Sequence, residues 1–171
     1  MTATRIQARS LNKQFTLHHQ NGVQLDVLTD LEFDAKSGEC LIFSGRSGSG
    51  KSTLLKMIYG NYLATSGSLQ VKHGDEWVEM VAAAPRSVVE LRRHTIGYVS
   101  QFLKTIPRVS TLNLVMEPAL ERGWSMEQAR ERAENLLSRL NIPERLWHLA
   151  PSTFSGGEQQ RVNIASGFMV A

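Results

Sequence analysis

The sequence predicts an α/β fold with an antiparallel β portion at its N-terminus and a helical portion inserted after Gln101. Apolar and polar residues alternate as in strands over the first third of the chain, and a glycine-rich loop then leads into a helix. From Phe102 onward, apolar residues recur at helical spacing. We therefore expect one domain of 171 residues, with a core portion at 1–101, a helical portion at 102–156 and a last helix at 157–171.

The composition is that of an ordinary globular protein, with 42% hydrophobic and 20% charged residues. A net charge of +3, spread along the chain, is too small to indicate a nucleic-acid partner. Cys40 is the only cysteine, which excludes an internal disulfide and favours a reducing compartment, and its apolar neighbours favour a buried thiol. No apolar run has the length of a signal peptide or a membrane span, so we expect a cytoplasmic protein.

Several strands are expected in the core portion. Alternation predicts strands within Arg5–Phe15, which contains a turn near Asn12, and within Gly22–Leu31. The continuous apolar run Cys40–Phe43 is typical of a strand buried on both faces, and Ile96–Ser100 has the same character. A further hairpin is predicted to pair Ser68–Lys72 with Trp77–Val81, because the polar turn between them contains glycine.

Helices are expected at three places. One runs from about Ser52 to Tyr59 and is closed by Gly60. A second begins at Ser125, which forms a capping box with Gln128, and Pro143 prevents its continuation. The third begins at 155–158, at the start of the C-terminal stretch.

The stretch Gly45–Thr53 fits the phosphate-loop pattern G-x-x-x-x-G-K-[ST]. Small residues allow successive backbone N–H groups to surround a phosphate, and the following helix directs its positive end at the same point. Lys51 is expected to reach the terminal phosphates and the Ser52 hydroxyl to ligate Mg²⁺. A glycine–serine linker that matches by chance is the alternative, which the flanking strand and helix disfavour. The predicted phosphate-binding residues are Gly45, Arg46, Ser47, Gly48, Ser49, Gly50, Lys51, Ser52 and Thr53.

A second glycine-containing helix start follows at Phe154-Ser155-Gly156-Gly157-Glu158. Ser155 and Glu158 are spaced as a capping box, so a capped helix is the simpler interpretation. The alternative is a second anion site, in which the exposed N–H groups and the serine hydroxyl hold the far side of a triphosphate.

Together these motifs resemble the nucleotide-binding domain of ABC (ATP-binding cassette) ATPases, a P-loop NTPase fold. The stretch beginning at Phe154 is similar to the family's signature motif, with phenylalanine in place of the usual leucine. The resemblance implies ATP and Mg²⁺ as cofactors, and Gln101 as the Q-loop residue that senses Mg²⁺ and the attacking water. It also implies that Phe15 stacks on adenine, although a core phenylalanine is the alternative. Two chains would pair head to tail, so that Ser155, Gly156, Gly157 and Glu158 contact the ATP of the other copy.

Stretches outside the general motifs resemble the L subunits (PhnL) of bacterial phosphonate carbon–phosphorus lyase systems. They are Val71–Val78, Ser100–Leu103 with Ile106–Arg108, and Asn141–Thr153. The resemblance implies an ATP-binding subunit of a soluble complex that attaches phosphonate to the ribose of ATP. The alternatives are the ATPase subunit of a membrane importer, which would dock a permease near Gln101–Arg108, and a chain that binds ATP without hydrolysing it. A P-loop small-molecule kinase is disfavoured by the signature motif.

The resemblance also implies that the C-terminal part of the core is missing. In ABC ATPases an apolar strand ending in Asp-Glu (the Walker B motif) and a later switch histidine follow the signature helix. Asp75-Glu76 is the only such dipeptide, and it lies in the predicted hairpin turn. We therefore expect nucleotide binding without the groups needed for hydrolysis, and an unpaired strand edge that promotes aggregation.

Overall fold

The computed structural model of the protein describes residues 3–19, 21–101, 103 and 107–170. Expectations that fall on Gln20, Phe102, 104–106 or Ala171, including half of the predicted permease-docking stretch, lie outside these residues. The chain divides into two units, Met1–Ile96 and Gly97–Ala171, which are described in turn.

The first unit contains a four-stranded antiparallel sheet in the order β2-β1-β3-β4. Strand β1 (Thr4–Leu17) pairs with β2 (Val23–Lys36) and β3 (Ser66–His73), and β4 (Glu76–Glu79) pairs with β3. The predicted antiparallel β portion and hairpin are therefore confirmed. The turn expected near Asn12 is wrong: β1 continues through an irregularity in its pairing, where Ser10 has a φ of +42°.

Two strands that the sequence predicts to be buried are absent from the described residues. Cys40–Phe43 has no regular secondary structure; Cys40 is exposed and the Ile42 side chain is 78% exposed. Ile96–Ser100 is also irregular. An apolar run becomes a buried strand only when neighbouring strands satisfy its N–H and C=O groups, and no described strand pairs with either run. The expected buried thiol is therefore wrong as well.

Helix α1 (Lys51–Ile58) packs against the sheet close to its predicted position, and Gly60 follows it with a φ of +79°. Helix α2 (Pro85–His94) was not expected from the sequence. Its proline in the first turn and its basic residues in the last turn are both typical of helix ends. The buried core of this unit comprises Ala8, Leu11, Leu54, Met57, Ile58, Leu69, Val71, Met80 and Leu91.

The second unit is helical over its described length after Ser110. Its helices are α3 (Thr111–Leu120), α4 (Met126–Arg139), α5 (Glu144–Trp147), a 3₁₀ turn (Pro151–Thr153) and α6 (Gly156–Gly167). The capping box of Ser125 and Gln128 is confirmed at the start of α4. That helix buries Ala129, Ala133, Leu136 and Leu137, which recur at helical spacing. None of the described helices combines the length and apolar character that a membrane span needs.

The core of the second unit depends on close packing between α3, α4 and α6. Leu137 has no exposed surface within this core, whereas Leu149 is 50% exposed. We expect Leu137→Ala to lower the free energy of unfolding by about 2–5 kcal/mol, because it leaves a cavity. Leu149→Ala is the matched control and should change it by less than about 0.5 kcal/mol. Urea unfolding followed by circular dichroism measures both, and equal effects would contradict the described packing.

Candidate functional site

The phosphate loop lies between the irregular segment after Lys36 and helix α1 in the first unit. Gly50 ends the loop with a φ of +86°, a conformation that side chains disfavour. A Cβ at this position would lie 2.8 Å from both the Val27 carbonyl oxygen and Leu28 Cδ2. The second glycine of the motif therefore serves both the turn and the close approach of the loop to β2.

Lys51 bends back across the loop. Its Nζ donates to the carbonyl oxygens of Gly45 and Arg46, both at 2.7 Å, and to Ser49 Oγ at 3.2 Å. In these contacts the positively charged ammonium of Lys51 donates to neutral acceptors of the loop. A phosphate offers charged oxygens, which accept stronger hydrogen bonds than carbonyls do. The ammonium is therefore placed to exchange loop acceptors for phosphate oxygens.

Helix α1 presents its positive end to the same place. Its N-cap, Gly50, has no side chain to cap the first turn, and the first turn contains no acidic residue. The Leu54 N–H donates to the Gly50 carbonyl at 2.9 Å, whereas the N–H groups preceding Leu54 have no carbonyl within the helix to bond. A cavity of about 340 Å³ opens here, lined by Val27 and the residues Ser47 to Thr53. An anion at this position would meet unpaired N–H groups and the helix dipole together.

The loop also fits a magnesium–phosphate group. Ser52 is exposed at the start of α1, where its hydroxyl is available to a metal. Mg²⁺ in phosphate sites characteristically takes few protein ligands and completes its coordination with phosphate oxygens and water. No cluster of three or more His, Cys, Asp or Glu side chains occurs among the residues that the structure describes. Ligation by Ser52 and Gln101 stays a prediction.

Phe15 lies on β1, opposite Leu25, and is half-buried. Its ring meets that of Tyr62 edge to face, with centroids 5.4 Å apart, and Lys13 Nζ lies 4.5 Å from its centroid. Lys56 Nζ is similarly placed 5.5 Å from the Tyr62 ring. An aromatic surface flanked by ammonium groups suits a base joined to a polyphosphate. The stacking of adenine on Phe15 stays a prediction, and the sequence alone did not indicate Tyr62 as its neighbour.

In the second unit, Ser155 and Glu158 form the predicted capping box at the start of α6. The Glu158 N–H donates to Ser155 Oγ at 3.3 Å, while Ser155 donates to Glu158 Oε2 through its hydroxyl at 2.6 Å and its N–H at 2.9 Å. A Cβ at Gly156 or Gly157 would meet no atom within 4 Å, so the surface around this helix start is open. Phe154 instead packs in the core, which explains a large apolar residue before the serine.

The pKa of the Glu158 carboxyl is lowered from 4.5. The Ser155 hydroxyl is the largest cause and the Ser155 N–H the next, with smaller contributions from the charges of Arg161 and Arg145. All of these favour the carboxylate, which accepts the capping hydrogen bonds. The cap of α6 is therefore strongest when Glu158 is ionised.

Gln101 is exposed and belongs to the second unit. It does not follow a strand, contrary to the sequence prediction, because Gly97–Ser100 is irregular. This segment is instead attached to α6: Asn163 Nδ2 donates to the Ser100 carbonyl at 2.6 Å. Asn163 was not singled out from the sequence, since its role depends on a contact between residues that are 63 positions apart.

Comparisons with known proteins give consistent matches. A family model described as "ABC transporter" matches residues 28–171. The lipoprotein-releasing system ATP-binding protein LolD of Idiomarina loihiensis is 37% identical over 169 residues, covering 99% of this chain and 71% of LolD. The uncharacterized ABC transporter ATP-binding protein YbbA of Escherichia coli K12 is 40% identical, covering 85% and 61% respectively. The macrolide export ATP-binding/permease protein MacB of Rhodopseudomonas palustris is 38% identical, and the match covers 84% of this chain but 21% of MacB.

Solved structures agree. The dimeric structure of MJ0796, a bacterial ABC transporter cassette, superposes with a TM-score of 0.83 at 28% identity, covering 96% of this chain and 69% of that one. A dimeric post-hydrolysis state of the same cassette, bound to ADP and Pi, matches with a TM-score of 0.83 at 27% identity. These matches confirm the predicted α/β, P-loop fold.

The lowered pKa of Glu158 predicts a pH dependence. Because its folded-state pKa lies below 4.5, its contribution to stability is present above about pH 4.5 and is lost as the pH falls through the folded-state value. Glu158→Gln keeps a residue that can complete the capping box but cannot ionise. We expect the stability difference between the original chain and this variant to shrink from pH 6 to pH 3 in urea unfolding. A difference that stays constant over this range would contradict the assignment.

Proposed function

We propose that this chain, which belongs to the ABC transporter family, is an ATP-binding subunit that holds ATP·Mg²⁺ at Gly45–Thr53. One observation carries the proposal: the Lys51 ammonium and the open N-terminus of α1 converge on one cavity beside Val27. A site with this charge and these backbone donors suits a polyphosphate.

The loop residues have three roles in the proposal. Backbone N–H groups from Gly45 to Thr53 surround the phosphates, and Lys51 exchanges its carbonyl acceptors for oxygens of the terminal phosphates. Ser52 contributes one hydroxyl to the metal. Bound Mg²⁺ would neutralise phosphate charge, which is the main requirement of phosphoryl transfer. Gln101 would sense the metal and the attacking water, and Phe15 would stack on adenine.

The second half of the proposal is a head-to-tail dimer. The helix start at Ser155–Glu158 is open around Gly156 and Gly157, but it carries the Glu158 carboxylate in its capping box and contains no ammonium group of its own. It would meet the triphosphate held by the loop of a second copy. The dimeric state of the MJ0796 cassette, whose post-hydrolysis form contains ADP and Pi, supports this arrangement.

For the partner, the comparisons favour a membrane permease. LolD is named as part of a lipoprotein-releasing system and MacB as an ATP-binding/permease protein. We therefore propose that the chain works at the cytoplasmic side of such a transporter, as its ATP-binding subunit. The sequence alone favoured the lyase complex over the transporter, and the names of LolD and MacB reverse that order.

A phosphonate carbon–phosphorus lyase complex is the second candidate, because of the stretches Val71–Val78 and Asn141–Thr153. Part of the second stretch serves packing: Trp147 is buried, and its indole N–H donates to the Ile142 carbonyl at 2.9 Å. In the first stretch, Trp77 is 38% exposed on β4 and has Lys72 Nζ 5.5 Å from its ring. An exposed tryptophan on a hairpin is available to a soluble partner.

Nucleotide binding and dimer closure should respond to different substitutions. Lys51→Ala is expected to weaken ATP·Mg²⁺ binding by at least about tenfold, because a charge-assisted contact is lost. Ser155→Ala should leave binding by a single chain nearly unchanged and reduce ATP-dependent dimerisation. Isothermal titration calorimetry and analytical ultracentrifugation measure the two effects.

Lys36→Ala is the control for Lys51→Ala, because it removes a lysine charge from an exposed position at the end of β2. It should change ATP affinity by no more than a few-fold, since exposed charges are screened. Equal losses of affinity in the Lys51 and Ser155 variants would contradict the proposed division of roles.

Copurification distinguishes the two partners. We expect a tagged chain, expressed in its own host, to copurify with a detergent-extracted permease. Trp77→Ala should leave that association intact. Recovery of soluble phosphonate lyase subunits from the detergent-free fraction, abolished by Trp77→Ala, would establish the second candidate instead.

A further inference from the structure

The segment that leads into Gln101 is attached to α6 by the side chain of Asn163. Asn163 Nδ2, on α6, donates to the Ser100 carbonyl at 2.6 Å, and the bond is partly buried. Ser100 directly precedes Gln101, so this bond fixes the backbone one residue before the glutamine.

A second contact lies one helical turn further along α6. A Cβ at Gly167 would overlap Val99 Cγ2, and one at Gly97 would lie 3.4 Å from the Gly167 carbonyl oxygen. Positions 163 and 167 are four apart, so they share one face of the helix. The segment Gly97–Ser100 therefore lies against that face, and only a residue without a side chain fits at position 167.

Both residues are poor helix formers compared with alanine. From the sequence alone, Gly167 looks like a weakness in α6. Their contacts explain why Asn163 and Gly167 are present, because each residue packs against or bonds to the segment before Gln101. That segment has no regular secondary structure, so no strand ladder among the described residues holds it in place.

We propose that Asn163 is a positioning residue for Gln101, because its bond to the Ser100 carbonyl fixes the backbone next to that glutamine. The inference rests on the proposed function, in which Gln101 senses Mg²⁺ at the nucleotide. In this arrangement α6, which would contact the ATP of a second copy, also positions the Gln101 side chain.

The first test is hydrogen–deuterium exchange of the peptide that contains Gly97–Gln101, on the full chain without nucleotide. Asn163→Ala and the isosteric Asn163→Asp both remove the donor, and both should increase exchange in this peptide by roughly three- to tenfold, the range set by one net hydrogen bond. Gln159→Ala is the matched control. It removes another side-chain bond made by α6, the one to the Phe154 carbonyl at 3.1 Å, and should leave the peptide unchanged.

The second test separates positioning from general stability. Calorimetry gives the ATP dissociation constant with Mg²⁺ and with EDTA for the original chain and the Asn163→Ala variant. We expect the constant in EDTA to be unchanged and the gain in affinity on adding Mg²⁺ to fall about three- to tenfold, as it should in Gln101→Ala. A merely destabilised chain would bind more weakly under both conditions.

The outcomes distinguish this inference from the proposed function. Unchanged exchange in both Asn163 variants overturns the inference, whatever the nucleotide result. Faster exchange combined with an unchanged increase in ATP affinity on adding Mg²⁺ also overturns it. The bond from Asn163 would then have no effect on Gln101. A chain that binds no ATP refutes the proposed function, while the exchange measurement still decides whether Asn163 holds the segment.

Discussion

The site depends on the close approach of the phosphate loop to β2 at Gly50. The loop passes so near the Val27 carbonyl that no side chain fits, and α1 begins at the next residue. Because of this approach, Lys51 and the first residues of α1 line one cavity together with Val27. Gly50 is thus the N-cap of α1, and Lys51 is the first residue of that helix. The arrangement of the candidate binding groups therefore follows from a steric condition at Gly50.

Features that depend on residues close in sequence were predictable. The capping boxes at Ser125 and Ser155 involve neighbours three positions away, and the hairpin of β3 and β4 turns within a few residues. The phosphate loop is likewise a local pattern. Helix α2 shows the limit of this reasoning: its aliphatic residues are Val88, Val89 and Leu91, too few to predict a helix even though its ends are typical.

Features that depend on distant residues were not predictable. The apolar runs at Cys40–Phe43 and Ile96–Ser100 have the composition of buried strands, but composition does not supply a partner strand. The same limit applies to the site. The sequence indicated Phe15 and Gln101 as candidates, whereas the Tyr62 ring beside Phe15 and the Asn163 side chain bonded to Ser100 come from distant parts of the chain, the latter 63 residues away. Motifs reveal the groups that touch a nucleotide more readily than those that hold these groups in place.

The exposed position of Cys40 has a practical consequence. It is the single thiol in the sequence, and it lies five residues before Gly45. A maleimide dye would therefore react at one defined place near the phosphate loop, with no other cysteine to remove. Occupancy of the cavity could then be followed as a change in fluorescence on an otherwise unaltered chain.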